Sequence, residues 1–470
     1  MATIDKERFD KADELTKCFI IEETKLRETK TKLNSAFEVG LRDEQNAVVK
    51  MLITYVRSLP TGEETGPFLA LDLGGTNFRV LLITLEGVKA TQINKTYAIE
   101  RELRTGEGIK LFDHIATCLF EFIESSNIKA PRLPLGFTFS FPCRQLGLTT
   151  AELIRWTKGF EASGVVNEDI VKLLRQAILR QQSKSRVFVD VVAVINDTTG
   201  SLMSCAHSNN KCAAGLIVGT GFNMCYLERL EKIDKWTTNY TEPKQVVINT
   251  EMGAFGEGNV LESIINKWDK EVDKNSLNPQ KQLFEKLVSG MYMGEIAKEV
   301  LVTLCNEKLV FKGQLPKVLN EKWSFGAKNV SKVDGLANND INKMKKIFGE
   351  VDETDVAIIR MVCSRISTRS AHLAAVACST ILERMERTFC VIAYDGSVIR
   401  LHPTFKETMR AMISKLTDEK YKFDLMLSED GSGKGAAIVA AVVYKEKRPV
   451  LIKRGRKVYE LSVFRRYAVN

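Results

Sequence analysis

A short glycine turn held between two apolar runs occurs twice in this chain, and that repetition restricts the fold more than any other feature. Residues 68–73 and 78–85 flank Gly74-Gly75-Thr76-Asn77, and residues 215–218 and 222–226 flank Gly219-Thr220-Gly221. Apolar runs of this length bounded by turn residues read as strands, and each pair as a hairpin. Glycine lets the backbone come close to a ligand, and successive N–H groups in such turns form nests for anions. Either turn alone is an ordinary tight turn. The pair points to two related α/β lobes whose turns could share one polyphosphate.

The chain is long enough for this plan, since 470 residues with 44% hydrophobic and 27% charged side chains can bury a large core. Residues 3–58 have the spacing of helices. The ten cysteines are scattered without a CxxC pair, which suits a reducing compartment. Neither a signal-like apolar run at the start nor a run of about 18 apolar residues occurs, so a cytoplasmic protein without stable membrane insertion is expected. Net charge is +9, but residues 445–470 hold nine Lys or Arg against two Glu and carry +7 of it. With the remainder at only +2 and no nucleic-acid module, nucleic acid is not an expected partner, and residues 447–470 read as a solvated basic tail.

Familiar nucleotide signatures fail. Asp430-Gly-Ser-Gly-Lys-Gly435 looks like a phosphate loop, yet Ser428 and Gly435 stand where Walker A needs Gly and Ser or Thr. The dinucleotide fingerprint and the protein-kinase motifs are also missing. Residues 188–195 read as a buried strand, with Asn196-Asp197 at its carboxyl end and a helix over 199–206 beyond. Open α/β folds place ligands at such ends, and a carboxylate there can take a proton from an attacking hydroxyl. Taken alone, Asp197 reads more readily as a helix N-cap than as a catalytic group.

Five ordered motifs narrow the choice: Leu71-Asp-Leu-Gly-Gly-Thr-Asn-Phe-Arg79, Leu135-Gly-Phe-Thr-Phe-Ser-Phe-Pro-Cys143, Trp156-Thr-Lys-Gly-Phe160, Asn196-Asp-Thr198 and Gly219-Thr-Gly221. Together they resemble the hexokinase family. The likeness continues through Gly253-Ala-Phe-Gly256, Ser276-Leu-Asn278, Lys281-Gln282, Ser289-Gly-Met-Tyr292 and residues 427–437, spanning about 65–445.

The resemblance implies a ribonuclease-H-like, actin-type ATPase fold with two lobes around a cleft. It further implies phosphoryl transfer from MgATP to the 6-hydroxyl of glucose or a related hexose. Asp197 matches the catalytic base, with Lys158 near the reacting hydroxyl. Ser140, Thr157, Lys158, Asn196, Asn223, Glu251 and Glu285 match sugar-contacting positions. Asp72 matches the acid that holds Mg²⁺ through water, with Gly74, Gly75, Thr76, Asn77 and Arg79 near the phosphates. Thr220, Gly290, Asp395, Gly396, Ser397, Gly431 and Ser432 complete the nucleotide side.

The expected division is an N-terminal helical segment at 1–62 packed on the large lobe, a small lobe at 63–197 and a large lobe at 198–434. A helix at 435–446 returns to the small lobe, and 447–470 form the tail. The chain departs from the family at Met252, where Trp is usual, at Ala393-Tyr394 in place of Gly-Val, and at Thr199 where many relatives have Val. Closure on sugar would guard ATP against water. A non-enzymatic hexose sensor and an actin-like ATPase are the competing readings.

Overall fold

The computed structural model describes residues 4–74, 77–128, 130–157, 159–238, 240–336, 340–447, 450–454 and 457–461. Its longer elements follow in chain order as α1 (Lys6–Thr16), α2 (Glu23–Arg42), β1 (Thr65–Leu73), β2 (Asn77–Glu86), β3 (Lys89–Ala98), α3 (Gly108–Ser125), β4 (Arg132–Phe139), α4 (Ile170–Gln181), β5 (Phe188–Ile195) and α5 (Asp197–Ser208). Then come β6 (Cys212–Val218), β7 (Phe222–Arg229), α6 (Lys267–Lys274), α7 (Leu283–Val288), α8 (Gly290–Asn306), α9 (Glu353–Met385), β8 (Phe389–Asp395), α10 (Phe405–Leu416), β9 (Lys422–Leu427) and α11 (Gly431–Lys447).

These elements fall into two compact bodies, the first made of residues 1–52, 211–244 and 248–427, the second of 53–210, 245–247 and 428–470. The second body holds a five-stranded sheet in the order β3-β2-β1-β4-β5. β1 and β2 form the expected hairpin, with Leu73 opposite Phe78, while β4 runs parallel to β1 and β5 parallel to β4. Alternate apolar residues of these strands, among them Leu69, Leu71, Leu133, Leu135 and Phe137, are buried with Phe112, Ile115 and Leu119 of α3 and Leu174 of α4. Leu111, Ile115, Leu119 and Phe122 recur every three or four residues, which is why this segment forms a helix with one face in the core.

A second device closes this body. A Cβ on Gly435 would lie 2.0 Å from the carbonyl oxygen of Gly200, and one on Gly136 would lie 2.0 Å from that of Ala436. Helix α11 therefore rests backbone to backbone on α5 and β4, an approach only glycine permits. The run Asp430–Gly435, which looked like a phosphate loop, is the start of this packed helix.

In the first body, β6 and β7 form the second expected hairpin, with Val218 opposite Phe222; β8 runs parallel to β6, and β9 parallel to β8. The pattern of hairpin, parallel strand, parallel strand thus occurs in both bodies. The 33-residue α9 is its spine. Leu26, Leu33, Phe37 and Leu41 of α2 are buried, and α2 packs along α9. Arg8 of α1 pairs with Asp352 at 2.9 Å and with Asp355, and Arg365 holds Asp13 at 2.6 Å. Arg369, fully buried, grips Asp269 of α6 with two bonds of 2.7 Å and stacks over Phe19 at 4.6 Å.

Several expected boundaries move. Helix α5 begins at Asp197, not 199, and belongs to the second body, which runs to Asn210 rather than ending at 197. The N-terminal segment leaves the first body at Leu52 rather than 62, and the last helix begins at Gly431 rather than 435. The basic tail is not featureless, because the backbone of Val450–Arg454 pairs antiparallel with Lys457–Leu461. The ten cysteines, all among the described residues, form no disulfide.

Candidate active site

In the second body, Asp72 sits one residue before the end of β1 and directly opposite Arg79 of β2, so hairpin register alone brings acid and base together. Arg79 donates from Nη2 to Asp72 Oδ2 at 2.6 Å, and its Nη1 lies 2.6 Å from Asp430 Oδ1. Ser432 Oγ donates to Asp72 Oδ2 at 2.7 Å, and Gln92 Nε2 donates to Asp430 Oδ2 at 3.1 Å. Burial opposes the charge on Arg79, but Asp72 and Asp430 outweigh it and raise its pKa. Gly74 follows beside Ser140, whose N–H donates to Leu73 O at 3.0 Å, and Asn77 opens β2. Gly75, Thr76 and Lys158 lie outside the described residues. Thr157 is half-buried, and its carbonyl accepts from Phe160 N at 3.1 Å. The neighbouring Trp156 stacks on Phe160 at 5.2 Å within a cluster that includes Phe139 and Phe141.

The end of β5 separates two roles that the residue types left open. Asn196 is the N-cap of α5: its Oδ1 accepts from Thr198 N at 2.9 Å and from Thr198 Oγ1 at 2.7 Å. Asp197 is instead the first helical residue, half-buried, with Oδ1 accepting from Thr198 N at 2.8 Å. Its carboxylate thus lies at the positive end of a helix whose cap is already supplied.

In the first body, two sugar-side positions share one network. Asn223 of β7 donates from Nδ2 to Asn249 Oδ1 at 2.8 Å and lies 3.3 Å from Glu251 Oε1; Asn249 Nδ2 donates to the same Glu251 oxygen at 2.8 Å. Glu251 adopts the left-handed backbone region, with φ 52°. Glu285 of α7 accepts the N–H of Phe222 at 2.9 Å, next to Asn223. Burial, with Glu285 and Asp273 nearby, pushes the Tyr292 phenol up to about 12, so it stays protonated.

The second glycine turn meets two others. Gly290, at the start of α8, donates its N–H to Gly219 O at 2.8 Å, and Met291 N donates to Thr220 O at 3.3 Å. Gly396, at φ +111°, packs so closely that a Cβ would lie 2.4 Å from Val218 O. Its N–H donates to Asp395 Oδ1 at 2.6 Å, and Ser397 begins the next helical turn. Thr220 is exposed. Gly431 and Ser432 open α11 in the second body, where Ser432 bonds Asp72.

Residues 11–207 and 213–442 match two family models, both described as hexokinase. A hexokinase of Schistosoma mansoni is 42% identical over 451 residues, covering 94% of this chain and 99% of that protein. The chain belongs to the hexokinase family. Mouse hexokinase-1 is 41% identical over 450 residues and human hexokinase-2 is 43% identical over 423, but these cover only 46% and 45% of those proteins. The chain thus spans about half the length of the mammalian relatives. Among solved structures, the Schistosoma mansoni hexokinase complexed with glucose aligns with TM-score 0.85 at 41% identity, covering 94% of this chain and all of that one. A second hexokinase aligns with TM-score 0.81 at 29% identity over 93% of this chain. The fold is accordingly the hexokinase form of the actin-type ATPase fold.

The departures from the family pattern lie at packing positions. Met252, Ala393 and Thr199 are fully buried, and Tyr394 nearly so. Sequence reasoning missed Asn249, Asp430 and Gln92 as members of the polar networks. Asn249 stands two residues before Glu251, and Asp430 immediately precedes Gly431-Ser432; proximity to those residues was the available signal. Gln92, on a strand with largely exposed side chains, offered none. The first body also contains a cavity of about 860 Å³ lined by Ile265, Val272, Asp273, Gln280, Lys286 and Leu287.

Proposed function

We propose that this hexokinase-family protein transfers the γ-phosphoryl group of MgATP to the 6-hydroxyl of glucose and related hexoses, the first step of glycolysis. The observation that carries the reading is the joining of Asn223, Asn249 and Glu251 around one carboxylate oxygen, with Glu285 tied to the adjacent residue of the same strand. Paired amides and carboxylates suit a ligand covered in hydroxyls, since an epimer would leave a buried group unpaired. Ser140, Thr157, Lys158 and Asn196 complete the proposed sugar contacts.

Asp197 is the general base, taking the proton from the 6-hydroxyl as its oxygen bonds to phosphorus and the bond to the leaving ADP oxygen breaks. Because Asn196 supplies the cap, Asp197 can act without opening the helix. Lys158 stands near the reacting hydroxyl. Gly74, Gly75, Thr76, Asn77, Arg79 and Thr220 are the proposed phosphate positions. Gly290, Asp395, Gly396, Ser397, Gly431 and Ser432 are the other proposed nucleotide positions.

Asp72 offers a single carboxylate already bonded by Arg79 and Ser432, a donor set that fits Mg²⁺ retaining its waters and sharing phosphate oxygens. When bound, Mg²⁺ supplies neutralisation of phosphate charge, and Asp72 would hold it through water. Among the described residues no helix is long and apolar enough to cross a membrane, and a cytoplasmic place is part of the proposal.

ADP release measured with and without glucose tests the whole reading. Sugar-dependent ADP with matching glucose 6-phosphate is the expected result. Glucose binding without turnover would instead mark a hexose sensor, and sugar-independent ADP an actin-like ATPase.

A further inference from the structure

Asn249 occupies a place in the sugar-side network that no residue-type argument assigned to it. The residue is 5% exposed, and both ends of its amide are engaged. The orientation of the network can be followed from the backbone outward. The N–H of Met224 donates to Asn223 Oδ1 at 2.8 Å, and backbone N–H can only donate. Asn223 must therefore turn its Nδ2 toward Asn249 and Glu251. Asn249 receives that donor on Oδ1, so its own Nδ2 must face Glu251. Thr250 Oγ1, between 2.8 Å from Met224 O and 3.2 Å from Asn223 Oδ1, closes the same turn.

The result is a carboxylate whose Oε1 is held by an amide that cannot flip without losing both its bond from Asn223 and its bond to Glu251. Glu251 sits on left-handed backbone, so its side chain leaves the chain in a direction ordinary loop geometry does not supply. A lone flexible Glu on such a turn would sample several rotamers, and each would present a different acceptor to the sugar.

We infer that Asn249 is the positioning residue that locks Glu251 in the one rotamer able to read a hexose hydroxyl, and so contributes to epimer discrimination without touching the sugar. This rests on the hexose-phosphorylating reading above and adds the source of its specificity. A hydrogen bond to a charged group lost from a buried site weakens binding by about 10- to 100-fold.

The test compares wild type with Asn249→Ala and Asn249→Asp, measuring KM and kcat for glucose, mannose, allose and galactose, KM for MgATP, and glucose affinity by calorimetry. Asn249→Ala should raise the glucose KM and Kd by about 10- to 100-fold and narrow the kcat/KM ratios between glucose and its epimers, with the MgATP KM within about twofold of wild type. Asn249→Asp, which sets a second carboxylate against Glu251, should bind glucose less well than Asn249→Ala despite its closer shape. In a Glu251→Gln background the effect of Asn249→Ala on glucose affinity should shrink by about tenfold, because the two act as one unit.

Unchanged epimer ratios in folded variants, or equal losses for every sugar and MgATP, would overturn the positioning role. Wild type that binds glucose but releases no ADP would refute only the proposed reaction, with calorimetry still deciding the role of Asn249. Wild type that fails to bind glucose would overturn both.

Discussion

Asp197→Asn removes a carboxylate and almost nothing else. The N-cap of α5 belongs to Asn196, which bonds Thr198 twice, so the substitution leaves the cap in place. At the helix start Asp197 adds its own contact to Thr198 N, which the amide oxygen of Asn can reproduce, and a negative charge at a helix N-terminus worth about 0.3–1 kcal/mol. Stability should therefore fall by no more than about 1 kcal/mol, a shift of roughly 2–4 °C for a domain of 150–250 residues.

Loss of a general base lowers turnover by about 10²- to 10⁴-fold, or about 2.7–5.5 kcal/mol in the barrier. The two effects differ enough to be separated in one set of measurements. ADP release at saturating glucose and MgATP should collapse, while the melting temperature and the calorimetric glucose affinity stay close to wild type. A folded Asp197→Asn protein turning over within about fivefold of wild type would refute the reasoning. So would a loss of activity that follows the loss of folded protein.

Three further outcomes follow from the structure. Asp269→Ala leaves Arg369 charged and fully buried without its partner, so chemical denaturation should show a loss of about 3–5 kcal/mol; the double change Asp269→Leu with Arg369→Met should recover most of it. His207 is almost wholly buried, and burial, assisted by Lys434, lowers its pKa. The folded state then binds fewer protons than the unfolded one, so this contribution to stability is present above about pH 6.5 and lost as pH falls below it. Melting curves from pH 7.5 to 5 should be flatter for His207→Gln, and an unchanged slope would count against the shift. Removing residues 448–470 should leave sugar-dependent turnover intact, because the matched family region ends at residue 442 while α11 ends at Lys447; insoluble truncated protein would show that the Val450–Leu461 hairpin packs on the body.

Much of this protein could be read before any coordinates. The two hairpins, the strand ending just before Asn196 and the order of the site motifs are local statements, because a glycine between two apolar runs constrains the chain within a few residues. Asp72 and Arg79 also belong here, since hairpin register makes them neighbours once the turn is known.

Other features needed segments far apart in sequence to meet. Asp430 closes on Arg79 across a separation of more than 300 residues, and α11 could be seated on Gly200 only when two glycines were found backbone to backbone. Both side chains reach Thr198, so the assignment of the cap to Asn196 rather than Asp197 depended on where the helical backbone begins, a choice that two adjacent cap-forming residues leave undecided. Asn249 was invisible for the same reason: an Asn at a strand end suits a turn, and only the approach of Asn223 and Glu251 from either side makes it the hinge of a polar network. Short-range sterics determined the elements and the motif order, whereas the pairing of buried polar groups, which depends on long-range packing, decided what each residue does.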